Sequence, residues 1–189
     1  MNTLHKYFKH NSLYIIVILL ITLGYSDLFA QETYRTSKGL LVIVTIINDE
    51  AVTLSSNDLI ISIDYESGNI LMEQDISDLL TENDSMQSIL NNEESDLIKF
   101  EGKLGLDYIN TTGHPPINFQ IEGLMYPSNK RVIGSGTLVH IEKGTMSACL
   151  ISLSFKLKYN EFFSTKEFDS NNDYLYINIK ESLMAREND

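Results

Sequence analysis

Apolar side chains recur at every second position in several segments of this chain, and this period constrains the fold more than any other feature. The clearest case is 151–159, where Ile, Leu, Phe, Leu and Tyr alternate with Ser and Lys. Because successive side chains of a β-strand point to opposite faces, the pattern predicts a strand with one buried and one solvated face. The same reasoning predicts strands at 59–65, 70–72, 117–122, 131–141 and 175–180, and the β-branched run at 39–47 predicts another.

Turn and glycine residues predict how these strands are connected and curved. Glu66-Ser67-Gly68-Asn69 has turn composition, so the strands 59–65 and 70–72 on either side of it are expected to form a β-hairpin. Gly134 and Gly136 lie inside a predicted strand, where glycines suggest bends or bulges as a sheet curls toward closure. The polar tail after Leu183 is expected to fray.

One segment, 75–90, has helical rather than strand spacing. Apolar residues there recur at intervals of three and four, and a polar break lies near 82–84. One or two short helices are therefore predicted. Strands separated by turns about every 8–12 residues are otherwise typical of an antiparallel barrel or sandwich. A closed barrel of seven or eight strands is either solid or able to hold one small ligand.

The N-terminal thirty residues have the order of a secretory signal peptide. Lys6 and Lys9 precede the apolar run 13–23, and the small residue Ala30 follows. The run has about a dozen residues, whereas a membrane-spanning helix needs roughly 20. We therefore expect a signal peptide at 1–30, cleavage after Ala30, a mature domain at 31–189 and a periplasmic or extracellular location. Leu28 stands where a small residue is usual, so a retained signal anchor is the alternative.

The charge balance argues against nucleic acid as a partner. The chain has 14 basic and 26 acidic residues, a net charge of −12. Lys6, Lys9 and Asp27 are the charged residues of the first thirty, so the remainder has 12 basic and 25 acidic residues, a net charge of −13. Phosphate backbones and anionic lipid surfaces repel such a domain.

No catalytic or metal-binding arrangement is visible in the sequence. Cys149 is the only cysteine and lies in an apolar run, so it is expected to be buried and unreactive. His114 and His140, the histidines beyond residue 30, have no metal-ligand spacing. The D-x-N-x-D start at 169–173 lacks the glycine and the glutamate of a calcium loop. We expect no enzyme activity, no metal and no cofactor.

Three blocks of the chain resemble, in order, those of one family. The block 100–123, FEGKLGLDYINTTGHPPINFQIEG, has Pro115 and Phe119 at the spacing of a Tyr-Pro-Thr-x-Thr-Phe motif, with His114 in place of the tyrosine. GSGTLVH at 134–140 is similar to a GxLTIHG strand, with His140 one residue early. The third block, 59–80, is similar to a hairpin that leads into a helix. Together they resemble the YceI-like family over most of 34–180.

This resemblance implies a fold and a function. The implied fold is an all-β, antiparallel lipocalin-like barrel of about eight strands, with the helical insertion near 75–90. Family members are exported barrels that bind polyisoprenoids or other long amphiphiles. An exported, non-catalytic protein that binds an isoprenoid or fatty-acid-like molecule is therefore expected, without stable membrane insertion after signal cleavage. The alternative is a structural or partner-binding envelope domain with a filled core and no ligand.

The candidate ligand-binding residues are the apolar side chains expected to line the barrel. Each methylene that a guest buries contributes about 0.8 kcal/mol, so an apolar interior could hold a long chain. The same residues would otherwise be ordinary core. They are Leu59, Ile61, Ile63, Ile70, Met72, Phe119, Ile121, Ile151, Leu153, Phe155 and Ile177, together with Leu175 and Ile179.

Overall fold

The computed structural model describes residues 33–47, 50–92, 97–106, 109, 115–143, 146–162 and 174–186. The signal peptide predicted at 1–30, His114 and the acidic stretch 169–173 lie outside these ranges. The strands of the described part are β1 (Thr33–Ile47), β2 (Glu50–Asp64), β3 (Asn69–Asp75), β4 (Leu97–Leu104), β5 (Ile117–Tyr126), β6 (Lys130–Lys143), β7 (Met146–Lys158) and β8 (Tyr174–Arg186). The helical elements are a 3-10 turn (Ile76–Asp78), α1 (Asp84–Asn92) and α2 (Tyr159–Phe162).

The eight described strands form one closed antiparallel barrel. Each strand pairs with the next along the chain, and β8 returns to pair with β1. The register shifts on either side of Gly39 in the β1–β2 pair, and between Ile151 and Leu153 in the β7–β8 pair. The prediction of an antiparallel barrel of about eight strands is confirmed, and the sandwich is excluded.

Of the bends or bulges expected at Gly134 and Gly136, bulges are absent. The register of β6 with β5 and with β7 runs through both glycines without a shift. Their physical role is to leave room inside the barrel. A Cβ on Gly134 would lie 2.5 Å from Cδ1 of Phe155, and a Cβ on Gly136 would lie 2.5 Å from Cζ of Phe119. The missing side chains make space for aromatic rings on neighbouring strands.

The alternating strand directions define two ends of the barrel. We call the end where β1, β3, β5 and β7 finish the upper end, and the end where β2, β4, β6 and β8 finish the lower end. The 3-10 turn and α1 follow β3, and α2 follows β7, so every described helical element lies at the upper end.

The predicted helical insertion is confirmed as the 3-10 turn and α1. Asp75 caps the turn, because its Oδ1 accepts hydrogen bonds from the backbone nitrogen and the hydroxyl of Ser77 at 2.9 and 2.7 Å. Leu80 then exchanges two backbone hydrogen bonds with Ser55 of β2, at 2.9 and 3.0 Å. Met86 of α1 is fully buried and joins the barrel core. The insertion is thereby tied to the upper end.

The lower half of the barrel is closely packed. The rings of Tyr34 and Tyr65 stack with centroids 4.0 Å apart and an interplanar angle of 17°. Cys149 is fully buried and pairs in register with Met184. The chain was expected to fray after Leu183. Instead, β8 continues to Arg186, so the prediction is wrong for residues 184–186. The last residues of the strand pair with β1 and β7.

The segment Glu32–Asp189 forms one compact unit. The domain boundary after Ala30 stays a prediction. Among the described residues, no helix has the length and apolar character that a membrane span requires.

Candidate functional site

A small apolar cavity of about 30 Å³ lies inside the barrel, toward its upper end. Side chains from seven of the strands, all but β6, line it, and Phe162 of α2 contributes from outside the sheet. Its lining residues are Leu41, Leu59, Met72, Gln74, Ile98, Phe100, Met125, Phe155, Phe162, Ile177 and Ile179.

The structure divides the predicted ligand-binding residues into two groups. All of them are buried, as inward-facing residues must be. Leu59, Met72, Phe155 and Ile177 border the cavity, and so does Ile179. The others are packed elsewhere in the core and do not border it; they are Ile61, Ile63, Ile70, Phe119, Ile121, Ile151, Leu153 and Leu175. Contact of either group with a ligand stays a prediction.

Two aromatic rings form one wall of the cavity. Phe100 and Phe155 lie with ring centroids 5.5 Å apart and planes inclined by 58°, a tilted geometry that aromatic pairs favour. Gly134 in β6 makes room for Phe155, and Gly123 in β5 makes room for Phe100, whose Cζ would lie 2.7 Å from a Cβ there. Small residues on β5 and β6 therefore fix the position of this wall.

The remaining wall contains side chains that can adapt. Met72 and Met125 are buried, and methionine is unbranched with three rotatable bonds, so it fills irregular gaps and rearranges easily. Phe162 is 3% exposed and belongs to a four-residue helix rather than to a strand. A shift of Phe162 would therefore break no strand pairing.

Gln74 is the one polar residue of the cavity lining, and sequence reasoning missed it. It is 2% exposed and pairs in register with Ile98. Ile70, Met72 and Gln74 share one parity in β3, and the first two were predicted to face inward. A continuation of the alternation from Ile70 and Met72 by two more residues would have placed the polar Gln74 inside the barrel. Leu41, Ile98, Phe100, Met125 and Phe162 were also missed.

Cys149, the buried cysteine of the described core, is not an activated nucleophile. Burial raises the pKa of the Cys149 thiol to about 11, and a hydrogen bond with Tyr65 offsets only part of this effect. The thiol is therefore protonated at neutral pH. No group of three or more His, Cys, Asp or Glu side chains in the described part is arranged to hold a metal ion.

Three larger concavities lie on the outside of the barrel. Their volumes are about 550, 470 and 590 Å³. Residues 80–83 of the insertion contribute to the first, and polar side chains of the strands or of the loops next to them contribute to all three. The last, for example, lies over Ser152, Ser154, Asn178 and Lys180. These grooves are open to solvent, whereas the small internal cavity is lined almost wholly by apolar side chains, so we take the internal cavity as the candidate site for an apolar guest.

No protein-family model and no curated protein matches the sequence. Among solved structures, the chain is similar to a polyisoprenoid-binding domain from Saccharophagus degradans that is implicated in plant cell wall breakdown. The TM-score is 0.60 at 8% sequence identity, and the match covers 84% of this chain and 99% of that domain. The resemblance to a YceI-like barrel is thus confirmed for the fold: the chain folds as a closed lipocalin-like barrel of eight antiparallel strands.

Proposed function

We propose that the protein is an exported, non-catalytic carrier that holds one apolar chain, isoprenoid or fatty-acid-like, in the upper half of its barrel. The observation that carries this proposal is the internal cavity, of whose eleven lining residues ten are apolar. The solved domain with the same fold is described as polyisoprenoid-binding, which supports the same class of ligand here.

The volume of the cavity decides how a guest would bind. Pockets that hold drug-sized ligands measure roughly 300–1,000 Å³, and this cavity measures about 30 Å³. A guest must therefore displace side chains rather than occupy a preformed tunnel. Met72, Met125 and Phe162 are the lining residues best suited to move. Burial of about twelve methylenes contributes roughly 10 kcal/mol, which is of the order of the cost of association and side-chain ordering.

Native mass spectrometry of residues 31–189 tests the carrier function. The protein is measured as purified from its source under mild conditions, and again after incubation with farnesol, hexadecanoic acid or glucose. We expect a one-to-one adduct with an apolar chain and none with glucose. The absence of any bound molecule as purified, together with no uptake of either apolar probe, would rule the function out.

The small cavity favours a second candidate, a structural or partner-binding envelope domain with a filled core. On this alternative the buried residues are only core, and neither farnesol nor hexadecanoic acid changes the melting temperature. A carrier that binds its ligand in the folded state must instead be stabilised by it, in proportion to ligand concentration. Thermal melts without ligand, with farnesol and with hexadecanoic acid therefore separate the two candidates.

Export is part of the proposed function, because a carrier of apolar molecules is useful in an aqueous envelope compartment. It rests on the basic, apolar and small-residue order of the first thirty residues. Intact mass analysis of the protein from cell fractions provides the test. A mature chain that begins at Gln31 in the soluble envelope fraction is expected. An intact N-terminus in the membrane fraction would indicate a retained anchor.

A further inference from the structure

Gln74 places a buried amide in a cavity whose other lining residues are all apolar. The side chain is 2% exposed and faces the barrel interior, at the next inward-facing position of β3 after Met72. Burial of an amide in apolar surroundings is unfavourable unless both of its polar atoms form hydrogen bonds. The hydrogen-bond partners of Nε2 and Oε1 therefore indicate which ligand head group can bind beside Gln74.

The two ends of the Gln74 amide differ in their hydrogen bonding. Nε2 donates to the backbone carbonyl oxygen of Asp75 at 2.8 Å. This bond assigns the amide nitrogen, because a carbonyl oxygen accepts only from a donor. Oε1 is buried, and no described residue donates a hydrogen bond to it. The amide thus leaves one buried acceptor in the candidate site.

We propose that Oε1 of Gln74 accepts a hydrogen bond from the hydroxyl head of an apolar guest, so that the barrel selects long-chain alcohols. This inference rests on the proposed carrier function. A ketone, quinone or ether head has only acceptor oxygens. Such an oxygen beside Oε1 could not donate a hydrogen bond to it, and the two oxygens would repel each other. An ionised head, such as a carboxylate or diphosphate, would need a compensating cation, and the cavity lining contains none. A neutral alcohol satisfies Oε1 without adding a charge.

The test is a cycle of two ligands and two proteins. The ligands are farnesol and farnesyl methyl ether, which share a chain but differ in the hydroxyl donor. The proteins are residues 31–189 with the native residue and with Gln74→Met, which has a similar length and no amide. Wild type is expected to bind farnesol about tenfold more tightly than the ether, the effect of one buried hydrogen bond. Gln74→Met should bind the two ligands within about twofold of each other.

The outcomes separate this inference from the carrier function. Equal binding of both ligands to wild type would show that Oε1 is satisfied otherwise, by water for instance, and would overturn the hydroxyl preference alone. Persistence of the preference in Gln74→Met would overturn it too. Failure of wild type to bind either ligand would overturn this inference, and the carrier function falls with it only if hexadecanoic acid is not taken up and no molecule is bound as purified. Gln74→Leu provides a second variant if Gln74→Met does not fold, which thermal melts reveal.

Discussion

Phe155 belongs both to the packed core and to the wall of the candidate site. It is 4% exposed, and its ring contacts that of Phe100. We expect Phe155→Ala to lower the free energy of unfolding by about 3–5 kcal/mol, the range for loss of a packed aromatic side chain. Urea denaturation measures the change. Ile133→Ala, at a 60% exposed position of β6, is the control and should stay within about 0.5 kcal/mol of wild type. A loss below about 1 kcal/mol for Phe155→Ala would mean that the ring lines open space.

Gly134 tests the same wall from the neighbouring strand. A Cβ there would lie 2.5 Å from Cδ1 of Phe155 and 2.7 Å from the carbonyl oxygen of Ser154. Gly134→Ala should therefore destabilise the barrel by about 1–3 kcal/mol through overpacking. The double variant Gly134→Ala with Phe155→Leu should lose less than the sum of its single variants, because the smaller side chain relieves one of the two contacts. Strict additivity in urea denaturation would show that the ring is not what the glycine accommodates.

Cys149 provides a chemical probe of the same core. Because burial raises the pKa of its thiol to about 11, the reactive thiolate is scarce at mildly alkaline pH and the sulfur is shielded from reagents. Ellman's reagent should label the folded protein very slowly and the protein in concentrated guanidinium chloride at once. Rapid stoichiometric labelling of the folded protein would contradict the buried position.

The 3-10 turn after β3 makes a pH-dependent contribution to the stability of the fold. The hydroxyl and the backbone nitrogen of Ser77 donate to Asp75, and these hydrogen bonds lower the pKa of its carboxyl. A lowered folded pKa means that the stabilisation is complete above the ordinary aspartate range and is lost as pH falls through the folded pKa. The carboxyl of Asp75 is almost fully exposed, so its contribution to the free energy of unfolding is modest.

Asp75→Ala and Asp75→Asn test this cap. At neutral pH we expect Asp75→Ala to lose under about 1 kcal/mol in the free energy of unfolding. The difference from wild type should shrink in acid, as the carboxyl of the wild type is protonated. Asn keeps a side-chain acceptor that does not titrate, so its own stability should depend less on pH at this position. Urea denaturation at neutral and acidic pH provides the measurement, and a difference that grows in acid would contradict the lowered pKa.

Alternation predicted the elements whose pattern is uninterrupted and missed those whose pattern is broken. The hairpin of β2 and β3 and the helical insertion were confirmed. The first part of β2 was missed because inward parity changes between Ser56 and Leu59, where the register with β1 shifts. β4 was missed because Gly102 occupies an inward position that the ring of Phe100 fills. Bulges and glycine spaces are tertiary features that a strict period of two does not reveal.

The candidate site was predicted less well than the fold, for a physical reason. Parity tells which residues face inward, and all the predicted ones are buried. Which of them border empty space depends on how side chains of different strands fill a shared volume. Phe162 comes from a helix outside the sheet, and Gln74 departs from the apolar pattern. Neither could be found by a search for alternating apolar residues.

At the scale of the whole molecule, the barrel has a packed lower half and a slightly open upper half. The stacked tyrosines and Cys149 fill the lower half, while the cavity lies toward the upper end. This asymmetry predicts where a guest binds. The core should tolerate rearrangement where methionines and Phe162 line it, and should exclude a guest where the aromatic stack and the strands are closely packed.

Ile177 and Ile151 form a matched pair that tests this asymmetry. Both are buried isoleucines on adjacent strands, at 3% and 0% exposure, but only Ile177 borders the cavity. Replacement of either by Ala should lower the free energy of unfolding by about 2–5 kcal/mol. Only Ile177→Ala enlarges the space open to a guest, so only this variant should change the affinity for farnesol, measured by native mass spectrometry. Ile→Val at each position, which costs about 0.5–1.5 kcal/mol, serves if the alanine variants unfold. Equal changes in affinity at both positions would mean that the guest occupies the full length of the barrel, and no change at either would favour the filled core.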